Sequence, residues 1–406
     1  MNESAALAHL LDRGQLTRAD LRDLTGLSKP TISEALRRLT DAGLANVVGH
    51  ISGGPGPNAE VYAANADAAY AVAVSVRDSR GGDIPSLTAA ICDLSGQVRG
   101  RAATAADFRS TDPVDAVIAL VEKVRGQAGA PAGRLLHVQL AVAASYDPRT
   151  GSIHHVGVTG WNRPGLVGAI RDELGTRVSV DNDVNLAAVA ERRRGVARDA
   201  DGFALLWLGE KGLGLAIDLG GALLRGARGG AGEIGYMPLF VPDTRERRIN
   251  LQDMVGGPAV LALAAAHGFT GRTSAEAVTA AAASAESAAF FAALADRVAV
   301  GLAAVVAVLD PPMVVLAGQV AQAGGRVLRD AVAAAMVRLE PLETTIVVTS
   351  IDDDAVLLGA LDAGLAAVRD GLIASVHTGT ATSVPTGTFV PTGRSVPTGA
   401  SVHTGG

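Results

Sequence analysis

Residues 27–39 read Leu27-Ser28-Lys29-Pro30-Thr31-Ile32-Ser33-Glu34-Ala35-Leu36-Arg37-Arg38-Leu39. Ile32, Leu36 and Leu39 recur at i, i+4 and i+7 with Ala35 alongside, which predicts a helix with one buried stripe. Ser28 is a good N-cap, and Pro30 is tolerated in the first turn. The opposite face carries Thr31, Ser33, Glu34, Arg37 and Arg38, with Lys29 at its start. Short polar side chains let the front of such a helix approach base edges, while Arg37 and Arg38 reach phosphates or guanine. Upstream, Thr17-Arg18-Ala19-Asp20 has capping-box form. The helix it opens runs to about Thr25, and Gly26 allows a tight turn. Two helices joined this way form a helix-turn-helix. After Gly43, residues 44–62 read as two strands around a Gly/Pro-rich tip, the wing of a winged helix-turn-helix. Residues 1–62 are therefore expected to bind DNA through Lys29, Thr31, Ser33, Arg37 and Arg38. A helical bundle without a DNA partner is the competing reading.

Charge decides how such a head can bind. The 406-residue chain has a net charge of -6 and a pI near 5.8, so a broad electrostatic grip on nucleic acid is excluded and any contact is local. Within residues 28–40, Lys29, Arg37 and Arg38 stand against Glu34, a local balance of +2. Glu34 can accept from a cytosine amine or pair with Arg38 at i+4. The single cysteine, Cys92, sits in an apolar strand-like context. It excludes disulfide frameworks, Cys-rich zinc sites and CxxC redox chemistry within one chain. No run reaches about 18 uninterrupted apolar residues, and Glu3 with no basic stretch is unlike a signal peptide. A cytoplasmic protein with no membrane partner is expected.

The length implies two or three domains, and at 48% hydrophobic but 3% aromatic residues the core must be built from Ala, Val and Leu. Residues 63–374 read as α/β. Strand-like runs fall at 70–76, 87–94, 135–145, 178–180, 203–208, 212–219, 313–317 and 344–350. Helix-like runs fall at 113–125, 184–194, 259–267, 288–309, 326–339 and 354–369. This suggests two layered lobes, taken as 63–182 and 183–374 with the last helix returning to the first lobe. Residues 375–406 repeat Val-(Pro/His)-Thr-Gly from Val376 onward and are expected to be disordered.

The helix-turn-helix followed by this body resembles the ROK family (repressors, open reading frames and sugar kinases), on its xylose- and N-acetylglucosamine-repressor-like branch. The resemblance implies a winged helix-turn-helix joined to a two-lobed actin-like body of the sugar kinase/Hsp70 type. It also implies a homodimer or homotetramer that binds operator DNA and responds to a sugar or sugar phosphate. Ser179-Val180-Asp181-Asn182-Asp183-Val184-Asn185 is similar to the family's Asn-Asp motif, in which Asn contacts sugar hydroxyls and Asp is the kinase base. From the residues alone, Asn182 and Asp183 equally suit a helix cap. Gly230-Ala231-Gly232-Glu233-Ile234-Gly235 resembles the segment whose Glu accepts from the sugar. Residues 212–227 resemble a Gly-rich phosphate segment, and 311–318 an adenosine-side loop.

The departures carry as much information. Ser75 and Arg77 stand where the family's first phosphate loop has Asp and Gly, followed by an inserted polar stretch at 78–86. Without that carboxylate Mg²⁺ and phosphate lose their organiser, so neither ATP nor Mg²⁺ is expected. Tyr236 replaces the family's zinc-ligating His, and 237–250 holds no Cys, so no zinc is expected. Gln252 takes the place of a family Glu, and Gly157 that of an Asn before Gly160-Trp161-Asn162. The expected ligand residues are Asn182, Asp183, Glu233, Gln252 and Tyr236, with no catalytic residue and Asp183 as a vestigial base. The function expected is transcriptional regulation, by repression. An ATP-dependent sugar kinase with an accessory head and a regulator with a decayed effector domain are the alternatives.

Overall fold

The computed structural model of the chain describes residues 2–51, 59–77, 85–154, 157–239, 249–339, 343–352 and 354–378. The wing tip, most of the inserted stretch after Arg77, and the repeat tail beyond Thr378 lie outside these.

The head starts with α1 (Asn2–Arg13), β1 (Leu16–Thr17), α2 (Arg18–Thr25) and α3 (Lys29–Asp41). Thr17 closes a capping box with Asp20, and Gly26 ends α2 at φ 70°. Ser28 caps α3, and Ile32, Ala35, Leu36 and Leu39 are buried. They pack in one core with Ala6, Leu7 and Leu10 of α1 and Leu21 of α2. Strands β2 (Ala45–Ile51) and β3 (Ala59–Ala64) form the antiparallel wing, and β1 adds to β3 as a third strand.

The body is built on two five-stranded sheets. The first contains β4 (Tyr70–Arg77), β5 (Ser86–Asp93), β6 (Val98–Ala105), β7 (Leu135–Val142) and, after the small hairpin β8 (Ser145–Asp147) and β9 (Ser152–His154), β10 (Arg177–Asn182). Its order is β10-β7-β4-β5-β6. The second contains β11 (Gly202–Leu208), β12 (Leu213–Leu219) and β13 (Ala222–Leu223). After the short pair β14 (Pro238–Leu239) and β15 (Ile249–Asn250), it is completed by β16 (Met313–Ala317) and β17 (Thr345–Val348). Its order is β13-β12-β11-β16-β17. Both follow one plan: three strands run as an antiparallel meander, then two parallel strands add on the side of the first. Parallel addition needs helical crossovers. These are supplied by α4 (Pro113–Ala128) and α5 (Leu166–Leu174) in the first lobe, and in the second by α7 (Leu251–Val255), α8 (Gly257–Ala266), α9 (Ser274–Ala282), α10 (Ala288–Leu309) and α11 (Gln319–Leu339). The remaining helices are α6 (Asp183–Arg194) and α12 (Ala355–Thr378).

By length and composition α10 could cross a membrane, but Phe290, Phe291, Leu294, Val298, Leu302 and Val306 are buried in the second-lobe core. Its apolarity is that of a core helix. α11 is broken at Gly325 (φ 48°, ψ -134°), so its long second half starts at Arg326. Residues 375–378, expected to begin the tail, instead finish α12, because Val376 of the first repeat packs onto the core.

α6 and α12 join the body to the head. They pack on each other, and α12 lies on β4, β5 and β7 and touches α1 of the head. The approach to α6 is close: a Cβ built on Gly359 would stand 1.7 Å from the Leu186 carbonyl oxygen. Arg194 of α6 and Asp362 of α12 form an ion pair beside this contact. Head, α6 and α12 share one contiguous apolar core.

Candidate DNA-reading head and inter-lobe cleft

On α3, Lys29, Arg37 and Arg38 are exposed, while Thr31 and Ser33 are half-buried. The Thr31 hydroxyl lies 2.7 Å from that of Ser28, so it belongs to the helix cap. Both arginines are held by carboxylates. Arg37 grips Glu34 through Nε and Nη2 at 2.9 and 2.7 Å and reaches Asp41 at 2.6 Å. Arg38 donates to Glu34 at 2.8 Å and to Glu3 of α1 at 2.9 Å. Glu34 thus bridges two arginines, not one, and hydrogen bonds from Arg37 and then Arg38 hold its carboxyl down to about 2. Exposed ion pairs of this kind are weak, so phosphates can exchange for the carboxylates. The i+4 pair follows from helix spacing alone, but the contact with Glu3 depends on where α1 packs.

The two lobes face each other across a cavity of about 350 Å³ lined by Ser75, Arg77, Asn182, Asp183, Lys211, Glu233 and Tyr236, among others. Asn182 lies at the end of β10. Its Oδ1 accepts from the amides of Val184 and Asn185, capping α6, and its Nδ2 donates to the Ala144 carbonyl at 3.3 Å. The capping role is therefore realised, although Asn182 still lines the cavity. Asp183 follows on the first turn of α6. Burial pushes its carboxyl up to about 7, an amide hydrogen bond from Val184 opposes this, and the nearby Glu233 charge adds to it. Glu233 accepts from the Ser145 hydroxyl at 2.6 Å.

Gln252 departs from the ligand role expected of it. Its Oε1 accepts from Leu213 N at 2.8 Å and its Nε2 donates to Lys211 O at 2.7 Å. The amide braces the β11–β12 turn and is absent from the cavity lining. Tyr236 is 60% exposed and lies where this cavity adjoins a second, outer one with Ser145, Asp147, His154, Arg228 and Glu233. His155 and residues 240–248 fall outside the described residues.

Several polar residues of the cleft had no sequence signal. Arg225 spans the lobes to Asp181, whose Oδ2 accepts from it at 2.7 Å. Glu210 lines the cavity, but its carboxylate accepts from Ser274 N and Oγ and from Ala275 N, capping α9. Backbone closeness fixes the 226–233 segment. Gly232, at φ 88°, would place a Cβ 1.9 Å from the Leu215 oxygen, and Gly229 would place one 2.1 Å from the Tyr146 oxygen. Lys211 could have been noticed as one of only three lysines, within Gly209-Glu210-Lys211-Gly212.

Ser75 and Arg77, the two residues that depart from the family's first phosphate loop, both line the cavity. Cys92 lies buried in β5, with burial pushing its thiol up to about 12.

The Asp183 carboxyl makes a pH prediction. Its pKa is raised above the unfolded value, so the folded state keeps the proton longer. Its contribution to stability therefore falls as pH rises from about 4 to about 7 and is flat above that. Asp183→Asn should raise the melting temperature more at pH 8 than at pH 4.5. The difference should be on the order of 2 kcal/mol, short of what the whole rise would give because the group is only half-buried. Equal effects at both pH values, measured by calorimetry, would show an ordinary carboxylate.

The ROK family profile matches residues 81–366, and a MarR family profile matches residues 1–50. Among curated proteins, the xylose repressor of Bacillus subtilis (strain 168) is 23% identical over 246 residues, covering 59% of this chain and 60% of the repressor. The bifunctional enzyme NanE/NanK of Brucella suis biovar 1 (strain 1330) is 34% identical over 193 residues, 47% of this chain and 35% of the enzyme. The chain thus spans less than two thirds of either relative. A crystal structure of a ROK family transcriptional regulator, a homolog of the E. coli MLC protein, superposes with a TM-score of 0.71 at 19% identity, covering 92% of this chain and 97% of that one. The ROK hexokinase of Thermus thermophilus superposes at 0.59 with 24% identity over 74% of this chain and all of that one. These structural likenesses show the fold: a two-lobed sugar-kinase body with an N-terminal winged helix-turn-helix.

Proposed function

The chain belongs to the ROK family, and on that premise we propose that it is a cytoplasmic DNA-binding transcriptional regulator, acting as a repressor. Its body oligomerises and senses a sugar-class effector in the inter-lobe cleft. It binds operator DNA as a homodimer or homotetramer, with α3 in the major groove. Supporting this are the MarR-type match over the head, and the B. subtilis xylose repressor among the relatives.

One observation carries the proposal: the recognition helix shares a core with the helices that start and flank the cleft. Asn182 and Asp183 open α6; α6 packs on α12; α12 touches α1; and α1 packs on α3 while its Glu3 holds Arg38. A ligand that binds one arrangement of the lobes better than another therefore changes the position of α12 and, through it, the head.

The retained Asp183 and the kinase relatives favour a second reading, phosphoryl transfer with Asp183 as base. A coupled ADP-release assay with Mg-ATP across common hexoses separates the two. No turnover above the enzyme-free rate is expected. Turnover that disappears in Asp183→Asn would establish the kinase.

A further inference from the structure

We propose that residues 225–233 form a strap on the second lobe that fastens the two lobes together in the ligand-free protein, with the Ser145 hydroxyl holding Glu233 in the place of an effector hydroxyl. The fastening itself needs no ligand. Only its consequence for regulation rests on the cleft being the effector site.

The strap is a preformed loop. The Ala231 amide donates to the Arg225 carbonyl at 3.1 Å and closes the loop on itself. Both ends are tied to β12: the Leu224 amide donates to Ile217 O at 2.8 Å, and the Leu215 amide donates to Gly232 O at 3.1 Å. β12 lies inside the second sheet, between β11 and β13. A loop anchored in this way moves with its lobe as one piece, so its contacts with the other lobe resist separation of the two.

The strap meets the first lobe at Asp181, Tyr146 and Ser145. Arg225 Nε and Nη2 both reach Asp181 Oδ2, at 2.9 and 2.7 Å. Asp181 is nearly buried near the end of β10, and its Oδ1 already accepts from the Asn182 amide at 2.9 Å and from Asn185 Nδ2 at 3.1 Å. The carboxylate is thus held in place independently of Arg225, and a charge-assisted bond to a fixed, desolvated partner is stronger than one on an open surface. Loss of the arginine would leave a buried charge without that counter-ion. Beside this pair, Gly229 brings the strap backbone against Tyr146 of β8, with no room for a side chain between them. At the far end of the strap, Ser145 of β8 donates its hydroxyl to Glu233 at 2.6 Å.

This last contact ties the strap to ligand binding. A carboxylate accepts a hydroxyl proton from any source. Glu233 lines both the inter-lobe cavity and the outer one, and Ser145 lines the outer one. A ligand hydroxyl that takes Glu233 exchanges one O–H donor for another at little net cost, yet breaks a link between the lobes. Asp181 precedes Asn182, the cap of α6, so release of Arg225 acts where the path through α6 and α12 to the head begins. The fastened arrangement is therefore that of the ligand-free protein, and an effector shifts it by unfastening the strap.

Pulsed electron–electron double resonance on the full-length, ligand-free protein tests this, with nitroxide labels on Asp172→Cys of α5 and Ala304→Cys of α10. Both positions are exposed, and the native Cys92 is buried. The labelled parent should give one narrow distance distribution. Arg225→Ala combined with Ser145→Ala should broaden it and shift it to longer separations, and Ser145→Ala alone should do so in part. Ser145→Ala removes a single oxygen atom, so it remains informative if the double variant fails to fold. The proposal is overturned if the labelled parent is already broadly distributed, or if neither variant departs from the parent distribution. Capture of genomic DNA by the same variants reports on the regulator reading separately, because the distance measurement requires neither DNA nor ligand.

Discussion

Replacing Arg37 and Arg38 together by alanine should lower affinity for operator DNA by about 100-fold or more. Each arginine that reaches a base or a phosphate supplies about 1–3 kcal/mol. In the free protein the same two side chains are neutralised by Glu34, Asp41 and Glu3, so their removal also leaves three carboxylates facing a polyanion. Glu34→Gln should act in the opposite direction. It releases both guanidiniums while keeping the side-chain shape, and should raise affinity with less discrimination between sequences. Fluorescence anisotropy at several salt concentrations reads both effects, and the double alanine variant should show a shallower dependence on salt. Unchanged affinity in that variant would remove α3 as the reading helix.

The head was legible because its determinants are local. Thr17, Ser28 and Gly26 act within three or four residues, and the Ile32-Leu36-Leu39 stripe repeats at the helix period. Strand β4, apolar from Tyr70 to Val74, and the apolar β11 announced themselves for the same reason. β6 did not: as an exposed edge strand it reads Val98-Arg-Gly-Arg-Ala-Ala-Thr-Ala105, with only Ala102 buried. α9 escaped because an Ala-rich stretch has little periodic contrast. The repetition of one sheet plan in both lobes is set by pairings distant in sequence and leaves no local trace. In the cleft, the positions of Asn182, Asp183, Glu233 and Tyr236 were readable from motif likeness. The Asn182 cap of α6 was readable too, as a local alternative, whereas the capture of Gln252 by the β11–β12 turn was not, because it depends on which backbone amides end up nearby.

The second large effect concerns the α6–α12 contact. Gly359→Ala should destabilise the protein by about 3 kcal/mol or more, because the new methyl would meet the Leu186 carbonyl at 1.7 Å and backbone cannot move aside as a side chain can. α12 would have to lift from α6 and carry α1 with it, so the surviving folded fraction should bind DNA with altered affinity. Gly364→Ala on the same helix is the control. Its nearest neighbours, Gln139 and His137, would lie at 3.5 Å, an ordinary contact. Alanine also favours the helix by up to about 1 kcal/mol over glycine, so this variant should be neutral or slightly stabilised. Chemical denaturation of the pair measures the difference directly, and equal stabilities would mean that α6 and α12 are not in close register.

A regulator of this build must read specific DNA through α3. Sequencing the genomic fragments captured by the full-length protein, beside those captured by the Arg37→Ala/Arg38→Ala variant, tests it most directly. A limited set of enriched sites built on an inverted repeat, matching a symmetric oligomer, and their loss in the variant are expected. Fragments captured without enrichment of any sequence, or captured equally by both proteins, would contradict it.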